Sequence, residues 1–349
     1  MRRWQAFRVK GGSVSLRIDT RVPVAALGLA LLTVAVLVIN LGLGEFPIAP
    51  LQVVRALLGV GEGGQHYIVT GLRLPRALVA AAVGMGLGAS GAILQALTRN
   101  PLAAPEIVGV TAGANLAAVT VIVLIPSLPV AILPVAAFAG ALAACAVVYL
   151  LAWRRGSHAT RLLLVGIGVS AAAHAVVLSV VVTAPIFAVL QAVVWITGSV
   201  YASGWAEVQA IMVSLAVLLP AAMVLARRLD ALQLGDHVAG GLGSRINVDR
   251  GLLLLVGIAL AAASVAVAGP ITFVGLLAPH IARRLVGPSA AGLIIVAAAT
   301  GAAIVIVADT LGRTVFAPID VPAGVITPIV GVPYLIAVLY RTQRMEVAK

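Results

Sequence analysis

Long apolar runs follow one another along this chain with almost no charge inside them. A helix that crosses a bilayer needs roughly 20 apolar residues, at about 1.5 Å of rise each. Runs of that length or near it lie at 22–43, 74–97, 105–125, 129–152, 160–183, 207–226, 250–268, 274–286, 289–312 and 331–341. They predict an all-α polytopic membrane protein with about ten transmembrane helices. Only 10% of the 349 residues are charged, against about 25% in a soluble domain. So few charges cannot cover this much apolar mass with a water-facing surface, and lipid must be the solvent for most of it.

The eighth and tenth runs are short for full spans. Both lie beside breaks such as Gly269-Pro270, Gly287-Pro288, Pro318, Pro322, Pro328 and Pro333. Broken helices at membrane depth survive only where the freed backbone is buried in protein or lines a cavity. The stretch Gly84-Met85-Gly86-Leu87-Gly88-Ala89-Ser90-Gly91 places small residues along a helix face and predicts close helix packing, with pathway lining as the alternative.

Loop charge orients the chain. With the N-terminus inside and the spans alternating, all of the 23 Lys and Arg residues fall on the cytoplasmic side except Arg55, Arg73, Arg76 and Arg313. The layout is then a basic cytoplasmic tail over 1–21, a single transmembrane domain over 22–341 with the cytoplasmic segment 227–249, and a short cytoplasmic tail over 342–349. The longest inside loop, 227–249, carries helix formers broken by glycines and predicts a short amphipathic helix or two. The outside stretch 184–206 is apolar and aromatic but too polar at its end for a clean span, and it predicts a short helix near the outer mouth. No cleavable signal is evident, since the first run is spanning length and no small-residue cleavage site follows it.

Several kinds of chemistry find no residues here. The two lysines, Lys10 and Lys349, lack the Gly-rich context of a nucleotide-binding loop, so ATP dependence must come from another chain. The five histidines are scattered, no Cys/His metal cluster exists, and Cys145 lies alone in an apolar run. An ion-coupled secondary transporter usually needs intramembrane carboxylates. The two that stand out have structural readings: Glu106 at the start of a span, where a helix N-terminus favours a carboxylate, and Asp309, four residues before Arg313 and able to pair with it on one helix face.

Four blocks, in order, resemble the FecCD-type permeases of iron–siderophore, haem and vitamin B12 ABC importers. They are RLPRALVAAAVGMGLGASGAILQALTRNPLAAPEIVGVTAGA (73–114), LDALQLGDHVAGGLG (229–243), AGPITFVGLLAPHIARRLVG (268–287), and the run from Ala308 to Tyr340 with DVPAGVITPIVGVPYLI at its core. The likeness covers residues 20 to 341. Within the family, LLAWRRGSHATRLLLVGIGV (150–169) is similar to the ferric enterobactin branch.

The resemblance implies a permease subunit, not an enzyme, sitting multi-pass in the inner membrane and translocating an iron–siderophore complex. It implies a second permease subunit, identical or not, two cytoplasmic ATPases that bind ATP-Mg, and an extracytoplasmic siderophore-binding protein. This chain itself would hold no cofactor and no metal. Leu229, Leu232, Leu234, Gly235, Asp236, Ala239, Gly240, Gly241, Leu242 and Gly243 match the family's ATPase-coupling segment. Arg73, Arg76 and Arg313 match arginines that meet acidic residues of the binding protein, a pairing for which a planar guanidinium is suited. Arg55 has no such match. The pathway is expected along 160–183 and an outer helix at 186–200, with a cytoplasmic gate at Ser157, His158, Ala159 and Thr160. Vitamin B12 or haem is the alternative cargo, and an ion-coupled secondary transporter the alternative class.

Overall fold

Each of the ten apolar runs lies on a helix, and the prolines and glycines between them decide where each helix starts and stops. The computed structural model describes residues 4–8, 15–44, 46–60, 63–152 and 159–347. Two short strands, β1 (Trp4–Arg8) and β2 (Ser15–Asp19), pair antiparallel at the N-terminus. Then come α1 (Arg21–Gly42), α2 (Pro50–Leu57), α3 (Gly63–Tyr67), a π-helical turn (Ile68–Arg73), α4 (Leu74–Thr98), α5 (Val110–Leu124), a 3-10 turn (Val130–Ile132), α6 (Leu133–Ala152) and α7 (Ala159–Val182). The second half holds α8 (Ile186–Thr197), α9 (Trp205–Gln233), α10 (Asp236–Gly241), α11 (Ile246–Ala268), α12 (Val274–Val286), α13 (Ala290–Thr314) and α14 (Ala323–Val347).

Seven helices are long and apolar enough to cross a membrane, namely α1, α4, α6, α7, α9, α11 and α13. The remaining expected spans are α5, α12 and α14, which are shorter or interrupted. The fold is that of a multi-pass α-helical membrane protein. Several boundaries differ from the sequence reading. The third span begins at Val110, not near 105, because Pro101 and Pro105 hold the chain in turns until Gly109, whose φ of 95° is open to glycine. The last helix begins at Ala323, well before 331, and keeps Pro328 and Pro333 inside it. It also runs to Val347, so most of the expected C-terminal tail is helical.

Burial separates a core from a rim. The most apolar stretch of α4 is 83% buried, that of α11 78% and that of α13 72%, against 17% for α6 and α7, 22% for α9 and 0% for α1. Three nearly enclosed helices therefore run through the middle, and the others present apolar faces outward. Such faces suit lipid or a second subunit, not water.

The glycine run of α4 makes the core possible. A Cβ at Gly84 would overlap the backbone of Gly301, one at Gly88 the carbonyl of Ala297, and one at Gly91 the carbonyl of Gly275. α4 therefore lies directly on the backbones of α13 and α12, so the run serves packing. Ser90 Oγ–H donates to the Gly257 carbonyl at 2.6 Å and ties α4 to α11.

The broken segments meet at one level. The Ser199 N–H donates to the Ala268 carbonyl at 2.7 Å, and the Gly324 N–H to the Gly198 carbonyl at 3.0 Å. Gly198 and Gly269 both have positive φ, and a Cβ on Gly198, Gly269 or Gly324 would strike neighbouring backbone. The end of α8, the α11–α12 break and the start of α14 thus satisfy one another's backbone groups, as membrane depth requires. Glu106 belongs to the same repair. Its Oε1 accepts the Phe273 N–H at 3.1 Å, at the N-terminus of α12. The carboxylate meets the positive end of a helix as expected, but of α12 rather than of its own span.

Candidate functional site

Candidate residues gather at the two opposite ends of the bundle. At the first, Arg73, Arg76 and Arg313 line one cavity of about 950 Å3 together with Leu72, Tyr201 and Asp320. The π-helical turn delivers Arg73, the first turn of α4 delivers Arg76, and the last turn of α13 delivers Arg313. The sequence placed all three on one face from loop charge, and the fold brings them into one cluster.

Their partners differ sharply. Arg76 reaches two carboxylates. Its Nε and Nη2 donate to Asp309 Oδ1 at 2.9 and 2.7 Å. Its Nη1 and Nη2 donate to Asp320 at 2.7 and 3.0 Å, a two-pronged pairing of the kind a planar guanidinium favours. The guanidinium also stands 5.5 Å from the Tyr201 ring centroid, within cation–π range. Asp309 accepts a further bond from Asn40 Nδ2 at 3.3 Å. Arg73 is buried and donates to the carbonyls of Leu41 and Phe46, both at 2.7 Å. Arg313 donates from Nη2 to the Asn40 carbonyl at 2.6 Å.

This corrects one expectation. Asp309 is held by Arg76 of α4, not by Arg313 one turn along its own helix. The Nε/Nη2 edge of a guanidinium from the facing helix reaches Asp309 Oδ1, whereas Arg313 turns toward α1. The three arginines carry more positive charge than Asp309 and Asp320 cancel; Arg73 bonds two carbonyls and Arg313 one, with the buried Arg313 Nε left without a hydrogen-bond partner among the described residues.

At the other end, α9 continues past its apolar stretch to Gln233, and Gly235 (φ 109°) turns the chain into α10. Gly243 (φ 81°) turns it back toward α11. Both are conformations that side-chain-bearing residues resist. The expected coupling residues divide into two sets. Leu229, Leu232 and Ala239 are buried and fasten the segment to the bundle. Leu234 and Leu242 are exposed, as are Gly240, Gly241 and Gly243. Asp236 is half exposed and accepts from Arg99 Nη2 at 3.3 Å and from Arg250 Nη2 at 3.0 Å. Arg99 Nη2 also donates to the Leu232 carbonyl at 2.6 Å. Beside it, the buried Asp249 accepts from Arg228 Nη1 and Ser244 Oγ, both at 2.6 Å.

Of the expected gate, Ser157 and His158 lie outside the described residues. Ala159 and Thr160 form the first turn of α7.

The sequence singled out neither Asp309 nor Asp320 as a partner of Arg76, nor Asn40 as a partner of Asp309 and Arg313, nor Arg99 and Arg250 as partners of Asp236. These pairs join residues far apart in the chain, and periodicity carries no signal across such distances.

A family model, the FecCD transport family, matches residues 31–341. The chain belongs to that family. Among curated members, the siderophore transport system permease protein YfhA of Bacillus subtilis is 44% identical over 318 residues, covering 89% of this chain and 93% of its own. The achromobactin transport system permease protein CbrC of Dickeya dadantii is 45% identical over 312 residues, covering 89% of each. FepG of Escherichia coli, a ferric enterobactin transport system permease protein, is 38% identical over 210 residues, which bears out the likeness to that branch. A solved structure in an inward-facing conformation, of a metal-chelate type ABC transporter, superposes with a TM-score of 0.82 at 28% identity, over 91% of this chain and 99% of that one. The FecCD fold thus accounts for nearly the whole chain, broken helices included.

Proposed function

We propose that this chain is the membrane-spanning permease subunit of an ABC importer that carries ferric siderophores across the inner membrane. The observation that carries it is the match, over 89% of this chain, to permeases named for siderophore and for achromobactin transport in two bacteria. Vitamin B12 and haem stand as other cargo of the same family type. Both termini, including 1–21 and 342–349, lie in the cytoplasm by the loop-charge argument, and so does the segment 227–249.

ATP-Mg is bound and hydrolysed by two partner ATPases. α10 and its flanking turns dock in them, with Leu234, Leu242 and the glycines at 240, 241 and 243 as the contact surface. Support comes from the exposure of these residues on a segment fastened behind by Leu229, Leu232 and Ala239. At the outer end, Arg73, Arg76 and Arg313 receive acidic residues of an extracytoplasmic binding protein. The surplus positive charge of their cavity supports this. The pathway runs between this chain and a second permease, along α7, whose Leu164, Ile167 and Leu178 are exposed, with the gate at Ser157–Thr160.

Deleting the gene and measuring uptake of radio-iron on a panel of siderophores tests the assignment. Loss for one class of chelate is expected. Unchanged uptake of all of them overturns the iron reading, while co-purification of an ATPase separately tests the permease reading.

A further inference from the structure

Between the last turns of α9 and the first turn of α11 lies an open groove of about 450 Å3, lined by Arg227, Arg228, Leu242, Arg245, Val248 and Asp249 among others. Its charges are unequal. Asp249 is buried and already bonded to Arg228 and Ser244. Arg227 and Arg245 have no ion pair among the described residues. The groove is therefore left with two uncompensated guanidinium groups.

Its height in the fold matters as much as its charge. Arg227 directly follows the apolar stretch of α9, where Val224 is exposed. Arg245 and Val248 directly precede the apolar stretch of α11, where Leu252 and Leu255 are exposed. The groove thus sits where lipid-facing surface gives way to polar surface. α10, with its exposed Val238, follows in the connection between the two helices. Leu242 and Val248 are themselves exposed beside the arginines. Cation next to open apolar surface at the end of a span matches an amphiphile with an anionic head.

We propose that this groove binds the phosphodiester headgroup of an anionic phospholipid. Arg227 and Arg245 hold the phosphate oxygens, for which forked donors are suited, and Val248 takes the glycerol end of the acyl chains. Basic pockets at helix ends near the membrane surface are known to capture such headgroups. A lipid seated there bridges α9 to α11 at the base of α10. The proposal needs only the membrane placement of α9 and α11, so it stands or falls apart from the cargo.

The test uses the complete transporter in nanodiscs of phosphatidylcholine, with and without phosphatidylglycerol. Lipid retained through delipidation is counted by native mass spectrometry. The wild type is expected to keep phosphatidylglycerol in preference to phosphatidylcholine, and Arg227→Gln/Arg245→Gln to lose that preference by about tenfold or more. The lysine pair, Arg227→Lys/Arg245→Lys, is expected to keep most of it, which separates lost charge from misfolding. Equal retention in wild type and the glutamine pair overturns the proposal, as does identical behaviour of the lysine and glutamine pairs. Release by millimolar inorganic phosphate would make the groove a site for free anions and overturn the lipid source. Failure of the glutamine pair to hold the ATPase in phosphatidylcholine alone would make it a protein contact, and overturn it too.

Discussion

At one end of the bundle Arg76 meets Asp309 and Asp320 with its own side chain 11% exposed and Asp309 1%. At the opposite end Arg99 meets Asp236 with both side chains about half exposed, at 47% and 50%. The chemistry is the same and the surroundings are not. Water and salt screen the second pair, and its side chains can let go cheaply. The first is mostly withdrawn from water at the wall of the arginine-lined cavity, and taking away Asp309 leaves a largely buried guanidinium with one carboxylate in place of two. The bundle thus holds the Arg76 end with a largely buried network and ties the α10 end through a carboxylate, Asp236, that stays half exposed.

The sharpest test is Asp309→Asn. It leaves Arg76 with Asp320 alone and is expected to destabilise the folded subunit by about 3–5 kcal/mol, read as a lowered melting temperature in detergent. A melting curve like the wild type's would erase the distinction between the two ends. Gly84→Ala comes next. Its methyl group meets the backbone of Gly301, so α4 and α13 must separate, with an expected loss of about 1–3 kcal/mol. Asp249→Asn sits between the two regimes, because its carboxylate is buried while Arg228 is half exposed. A loss of about 1–3 kcal/mol is expected from the weakened bonds of Arg228 and Ser244. Asp236→Asn should shift melting by at most about 1 kcal/mol, and the shift should shrink as salt rises. A large, salt-insensitive effect there would show the α10 end to be as fixed as the Arg76 end. Charge reversal at Arg73 sharpens the functional side: transport should fall while ATPase co-purification persists.

The span pattern was legible because lipid as a solvent forces apolar runs of a set length, and a run such as 250–268 has no other reading. The α10 turn was legible because Gly235 and Gly243 stand where only glycine turns easily. What escaped the sequence was of two kinds. Helix ends near proline moved by several residues, since Pro328 and Pro333 are carried inside α14 by the packing of its start against Gly198. Polar pairing escaped too. The spacing of Asp309 and Arg313 gives a sound local expectation, yet Arg76, hundreds of residues earlier, takes the carboxylate. Glu106 likewise found a helix N-terminus, but a distant one. Local spacing tells which residues can pair, and only the packing of α4 on α13 tells which do.

That packing carries a consequence for movement. Where Gly84 lies on Gly301 and Gly88 on Ala297, no side chain stands between the two backbones. Ordinary helix pairs creep past one another by rotamer changes in the interdigitating layer. This seam has no such layer to give, so α4 and α13 behave as a keel. Whatever tilting the subunit undergoes must be taken up elsewhere, at the glycine turns bounding α10 and in the loosely held rim helices.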